Sequence, residues 1–291
     1  MDEFERRGIG VVSGRDACGR ALRSPGLTSD PGGGSPSVLL RDGDGHTRVR
    51  GVLREVIAGL EPLPVSVRAG IEAVVGGLPS SFDLVRDFAR PVAGSVTAAA
   101  LGVDLDDVFL DHLEVTTANL DVFGGTDRAG QASAFRLAVQ LSRAPAGPGG
   151  LTALRTAHAD GRLDDDELVL NSVVLAHAAY ENSLNFLACA GLELAASPAT
   201  WSVRELVTSI CPARYVLRHG PAGPLAISLA DGLPFGLGRH ACPGSGVALA
   251  EGEIALTALA KRLAGGCRVT DVRWKRHPVF HGLSRAVVTL S

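Results

Sequence analysis

The stretch Phe235-Gly236-Leu237-Gly238-Arg239-His240-Ala241-Cys242-Pro243-Gly244 carries the densest local signal in the chain. Glycine reaches backbone conformations closed to other residues. Gly236, Gly238 and Gly244 therefore let the chain turn tightly and keep side-chain bulk away from Cys242. The cysteine stands just before a predicted helix, from about Gly246 to Leu263, whose first N–H groups and dipole favour an anionic sulfur. Pro243 suits a first helical position, although it withdraws one N–H that the sulfur could otherwise accept. Such a loop is a candidate seat for a metal-bound thiolate.

The rest of the composition narrows the setting. The 291 residues are 46% hydrophobic and 20% charged, which is globular and long enough for a large core. A formal charge of -3 lacks the basic surface that phosphate backbones require, so no nucleic-acid partner is expected. The other cysteines, Cys18, Cys189, Cys211 and Cys267, are scattered and form no C-x-x-C pair, which fits neither a disulfide framework nor a zinc site. MDEFERRGIG has no apolar stretch behind its charges, so no secretory signal is read there. The most apolar long run, Leu168 to Ala196, is interrupted by Asn171, His177, Glu181, Asn182 and Asn185, against a membrane span. A reducing cytoplasm is the expected compartment.

Helical spacing dominates the chain. Helices are predicted near Gly14 to Ser24, capped by Ser13, and over His46 to Leu60, Val65 to Gly76, and Phe82 to Leu101, the last bent or split at Pro91. Further helices fit Leu105 to Leu120, Arg128 to Ser142 and Val203 to Ile210. A long helix begins at Asp164, boxed by Glu167 three positions on, and runs to about Ser197, where Pro198 stops it. Thr28 to Ser37 and Arg143 to Gly150 read as loops. Short strands are predicted at Ile9 to Val12, near Tyr215 and Leu225, and at Arg268 to Trp274 and Arg285 to Leu290. The expectation is one domain, mainly α with a minor β portion, spanning residues 1–291.

The Cys242 segment resembles the haem-binding loop of the cytochrome P-450 superfamily, F-G-x-G-x-H-x-C-x-G, at every fixed position. The resemblance, to the bacterial type, covers most of the chain and implies a compact, shortened fold of that family with haem b as cofactor. Cys242 matches the axial ligand, with Phe235, Gly236, Gly238 and Gly244 shaping its loop. Asp44 to Arg50 resembles the family's H-T-R-x-R helix start. By resemblance His46, Arg50, Arg218 and His240 hold the haem propionates, which Arg can grip with paired hydrogen bonds. Ala178-Ala179-Tyr180-Glu181-Asn182 matches the distal A-G-x-E/D-T pattern. Ala178 and Ala179 leave room over the iron, and Glu181 and Asn182 are the distal polar groups. His177, Glu181 and Asn185 also share a helix face, which reads more readily as an i,i+4 pair than as a second metal site.

Three departures bear on function. Asn182 replaces the family's threonine, and an amide relays protons less readily than a hydroxyl. The E-x-x-R helix keeps Glu205 but carries Thr208 at the arginine's place. The meander between that helix and the cysteine loop is missing, as are the usual first strands and helix. The leading expectation is a haem-thiolate oxidoreductase of monooxygenase type. It would act on a small organic metabolite of specialised metabolism, using ferredoxin electrons or peroxide. A redox-neutral haem-thiolate enzyme (dehydratase, isomerase or nitrene-type transferase) is the alternative, favoured by Asn182. A non-enzymatic helper shell is a third reading, opposed by Cys242.

Overall fold

The computed structural model describes residues 3–116, 128–145, 147–197 and 201–291. Its centre is a 32-residue helix, α9 (Asp165–Ala196). Asp164 accepts from the Glu167 N–H at 2.7 Å, and Glu167 reaches back to the Asp164 N–H at 3.0 Å. This closes the box expected from sequence, and the further carboxylates of Asp165 and Asp166 in the first turn complement the helix dipole. Glu167 does more than cap: its carboxylate also takes Arg41 and Arg48 from the segment that starts α3 (Gly43–Ala58). Asp164→Ala is expected to lower unfolding free energy by about 1 kcal/mol, the ordinary worth of an N-cap. Chemical denaturation measures this, and an unchanged midpoint would assign the helix start to the arginine pairs instead.

Most of α9 is buried on all sides, which its apolar sequence allows. Around it pack α5 (Arg90–Leu101), α6 (Asp107–Thr116), α7 (Arg128–Arg143), α8 (Gly150–Ala159), α10 (Val203–Ile210) and α11 (Ser245–Leu263). On the far side of α11 lies α4 (Val65–Gly76). One large apolar cluster runs from Val38 to Val288 through these helices. A smaller one joins Cys18 and Leu22 of α2 (Arg15–Arg23) to Cys211, Ile227, Leu229 and Leu233.

Two three-stranded sheets flank the helices. In the first, β1 (Gly10–Val12) runs parallel to β4 (Gly223–Ser228), which pairs antiparallel with β3 (Tyr215–Gly220). In the second, β2 (Ser81–Asp83) and β5 (Cys267–Trp274) both pair antiparallel with β6 (Leu283–Leu290). The result is 58% helix and 14% strand, mainly α with a minor β portion.

The structure corrects several local expectations. Gly14, not Ser13, stands at the N-cap of α2, and no side chain caps that helix. Phe82 and Asp83 are strand residues, because Phe82 registers against Val288, about two hundred residues away and beyond any local pattern. A wide π turn, Leu84–Ala89, then precedes α5, and Pro91 sits in the first positions of α5, where its missing N–H leaves no bond unmade. Helix α8 was not predicted. Its start at Gly150 lies so close to α5 that an added Cβ would stand 2.3 Å from the Ala100 carbonyl oxygen. The glycines that read as a loop are there to permit that approach. The predicted extension of α6 over 117–120 lies outside the described residues.

Candidate functional site

The cysteine loop leaves β4, makes a 3-10 turn at Gly238–His240 and delivers Cys242 to the foot of α11. Backbone bonds shape it: Cys242 N donates to Phe235 O at 2.8 Å and Gly236 N to Leu233 O at 2.8 Å. Gly236 and Gly238 have φ of 64° and 75°. An added Cβ on Gly238 would also lie 2.9 Å from the Leu22 carbonyl oxygen, so this glycine seats the loop on α2. The Ala241 carbonyl accepts from Arg50 of α3. Cys242 is exposed on one side and crowded by protein on the others. That crowding raises its thiol, while the Gly244 N–H and the Arg50 charge favour the thiolate.

Beside this loop three elements bring their cations together. His46 and Arg50 come from α3, Arg218 from β3, and Arg239 and His240 from the loop. His46 and His240 have ring centroids 4.1 Å apart. His46 is 3% exposed, and its Nε2 is buried without a hydrogen-bond partner. Arg218 is 8% exposed, donates only to the neighbouring Leu217 carbonyl, and has no ion pair among the described residues. Burial lowers its pKa. Burial likewise pushes His240 down to about 4, against the pull of Asp42. His46 is lowered by burial and then by Arg50, with Arg239 and Arg218 adding to the effect. The one carboxylate acting on His46 is Asp42.

Three guanidiniums stand against one carboxylate, an excess of two positive charges, with Arg218 buried, Arg50 half-buried and Arg239 exposed. Buried charge of one sign calls for a counter-ion. The two propionates of a haem supply two negative charges with paired acceptor oxygens, which suits guanidinium donors. The orphaned His46 nitrogen and the unpaired Arg218 therefore fit that group, and the accessible sulfur of Cys242 fits its iron.

Helix α9 packs along α11, the helix that follows this loop. Ala178 is exposed and Ala179 and Asn182 are half-buried, in the middle of a helix otherwise almost enclosed. Ser183 Oγ donates to Glu251 of α11 at 2.7 Å; further along, Gly252 abuts Phe186 and Gly191 abuts Leu259. These successive contacts run the same way along both helices, so α9 and α11 are parallel. The Cys242 loop and the Ala178–Asn182 face therefore lie at the same end of the pair. The Asn182 Oδ1 is shielded and has no hydrogen-bond partner.

Glu181 sits differently. It is 1% exposed and bound to Lys275 Nζ at 2.9 Å and to Asn185 Nδ2 at 2.9 Å. Burial pushes its carboxyl up, but Lys275, His177 and Asn185 outweigh it, and the group stays below its ordinary value. His177 belongs to the same buried cluster, and burial lowers it to about 4. The i,i+4 bond from Asn185 to Glu181 is thus present, and no group of three metal-ligating side chains occurs among the described residues. Glu205 is exposed and serves as the N3 partner of the Ser202 cap on α10.

Sequence reasoning missed Glu251. This carboxyl is wholly buried, receives one hydrogen bond, from Ser183, and has an unpartnered Oε1. Burial raises its pKa to about 7. The signal was its spacing, three before Ile254 and four before Ala255, on the apolar face of α11.

No protein-family model and no curated sequence matches the chain. Solved structures do. Ligand-free CYP164A2 of Mycobacterium smegmatis matches with a TM-score of 0.83 at 23% identity, over 99% of this chain and 95% of that one. CYP109E1 of Bacillus megaterium, in complex with testosterone, matches at 0.82 and 16% identity, over 98% and 93%. The mycinamicin VIII methyl hydroxylase MycCI of Micromonospora griseorubida matches at 0.78 and 22% identity, over 96% and 89%. At these identities the likeness is one of fold, and the fold is that of the cytochromes P450. No helix among the described residues is long and apolar enough to cross a membrane.

Proposed function

We propose that this chain, which has the cytochrome P450 fold, is a haem-thiolate enzyme that oxidises a small organic molecule. One observation carries the reading. An accessible cysteine lies beside a cluster of arginines, the innermost of them buried, whose excess charge over Asp42 equals that of two propionates. Haem b, when bound, supplies an iron whose thiolate ligand pushes electron density toward oxygen cleavage.

The protein's own residues set the conditions for that chemistry. Cys242, held where the glycine loop turns into α11, would hold the iron through its sulfur. His46, Arg50, Arg218 and His240 would hold the propionates. Ala178 and Ala179 keep the opposite face open, and Asn182 offers that space an amide with a free acceptor. Glu181, tied to Lys275 and Asn185, shapes this wall and acts on the site through its charge. The oxidation uses oxygen with electrons from a ferredoxin-type donor, or peroxide as the oxidant, and the setting is a bacterial cytoplasm and its specialised metabolism.

A second reading, a redox-neutral dehydratase, isomerase or nitrene-type transferase, is favoured by Asn182, which holds a substrate or water by hydrogen bonds but passes on no proton as a hydroxyl does.

Titration of the purified protein with haemin tests the first claim. Expected is stoichiometric uptake, with a thiolate-type spectrum after reduction under carbon monoxide. A protein that stays colourless sinks both enzyme readings. Turnover without oxygen, peroxide or reductant would choose the second over the first.

A further inference from the structure

Backbone bonds set the turns of the Cys242 loop, but its three glycines carry no side chains to anchor those turns to neighbouring segments. The glutamate that would brace such a loop from α10, Glu205, is exposed and occupied as a cap. Something else fixes it. Asp42 stands at the N-cap position of α3, where an aspartate usually caps, yet its side chain makes no capping bond. Its carboxylate turns instead to two loops. Oδ2 accepts from Thr28 Oγ1 at 2.6 Å and from Ser29 N at 2.7 Å. Oδ1 pairs with Arg239 Nε at 2.7 Å and His240 Nε2 at 2.9 Å. Ser29 Oγ, 3.0 Å from the same His240 nitrogen, closes the triangle.

We propose that Asp42 is the positioning residue that braces the Cys242 loop and couples it to the Thr28–Ser29 segment. The proposal deepens the haem-thiolate reading and rests on it for the purpose of the brace. Each carboxylate oxygen takes two donors, one oxygen per loop, so the loops share a single rigid planar group. The bonds are charge-assisted and largely shielded, with the Asp42 side chain 20% exposed. Burial pushes its carboxyl up, but Thr28, His240 and Ser29 hold it well below the usual carboxylate range, so it remains ionised. Its charge also offsets the repulsion among Arg50, Arg218 and Arg239 before any propionate arrives. Asp30, the next residue after Ser29, continues the loop that runs to Ser37, so the brace ties that loop to the residues flanking Cys242.

Amide hydrogen exchange on the haem-free protein, paired with haemin titration, decides the matter. Asp42→Asn keeps the shape and loses the charge and half the acceptors. Exchange is expected to rise about tenfold at both 28–30 and 236–242, the loss of one or two charge-assisted hydrogen bonds, with α9 unchanged. Haemin affinity is expected to fall about tenfold or more, as when a ligand loses its supporting shell, and Asp42→Glu is expected to restore part of it. Loosening of one loop alone, or of neither, overturns the brace. Thr28→Val covers the case in which Asp42→Asn does not fold. Among the described residues the Thr28 side chain bonds only Asp42 and the Asp30 N–H, not the cysteine loop itself, yet its loss is expected to raise exchange at 236–242. No change there overturns the coupling. If the wild-type chain takes up no haemin, the haem reading falls, while the exchange comparison still judges the brace.

Discussion

Cys242→Ala is expected to abolish the thiolate-type carbon monoxide spectrum while leaving the protein folded. The loop backbone is set by the Cys242 N–Phe235 O bond and the glycine turns, neither of which uses the sulfur. The side chain is exposed, so its truncation costs little packing. The unfolding midpoint is therefore expected to stay within about 0.5 kcal/mol of wild type, as for ordinary exposed positions. Haemin is expected to bind more weakly, retained by the propionate cations alone. No other cysteine substitutes. Cys18, Cys189 and Cys211 are buried, and burial pushes the thiols of Cys189 and Cys211 up to about 12. Cys267 is turned to the Ala195 carbonyl. A thiolate-type spectrum surviving in Cys242→Ala would assign the ligand elsewhere.

Glu251→Gln is expected to stabilise the protein at neutral and alkaline pH and to change little in acid. The native carboxyl titrates near 7, against an ordinary value of 4.5. The folded state therefore binds more protons than the unfolded chain between these values, and stability falls as pH rises through them. The full effect, complete above pH 7, is about 3 kcal/mol for a shift of this size. Glutamine keeps an acceptor for Ser183 and carries no charge, so the variant lacks this slope. Denaturation midpoints at pH 4.5 and pH 8 measure it. Curves for the two proteins that run parallel across this window would show that Glu251 is not the titrating group.

Several features were legible in the sequence because their causes are local. The Asp164–Glu167 box needs only a three-residue spacing. Val65–Gly76 and Val203–Ile210 follow from apolar periodicity and fall where expected. The cysteine loop was legible because glycines, cysteine and the following helix lie within a few residues of one another. Helix α8 was not, since its glycine-rich start has meaning only against the Ala100 carbonyl of α5. Strand β2 was not, since three residues become a strand only when β6 lies alongside.

The candidate site divides in the same way. Its residue types and their chain order were written in the sequence: Cys242, the histidines and arginines, the small residues of α9. Which of them stand free and which are already engaged depended on tertiary contacts. Glu181 reads as a distal acid until Lys275, nearly a hundred residues on, is brought to 2.9 Å. Asp42 carries no signal in the sequence, and its role shows only where Thr28, Ser29, Arg239 and His240 converge on it. Glu251 went unread in the sequence, because its burial depends on α9 closing over it. Spacing along the chain specifies a side chain's chemistry and its helix face. Its ionisation and its partners follow from desolvation and from charges that only folding brings within a few ångströms.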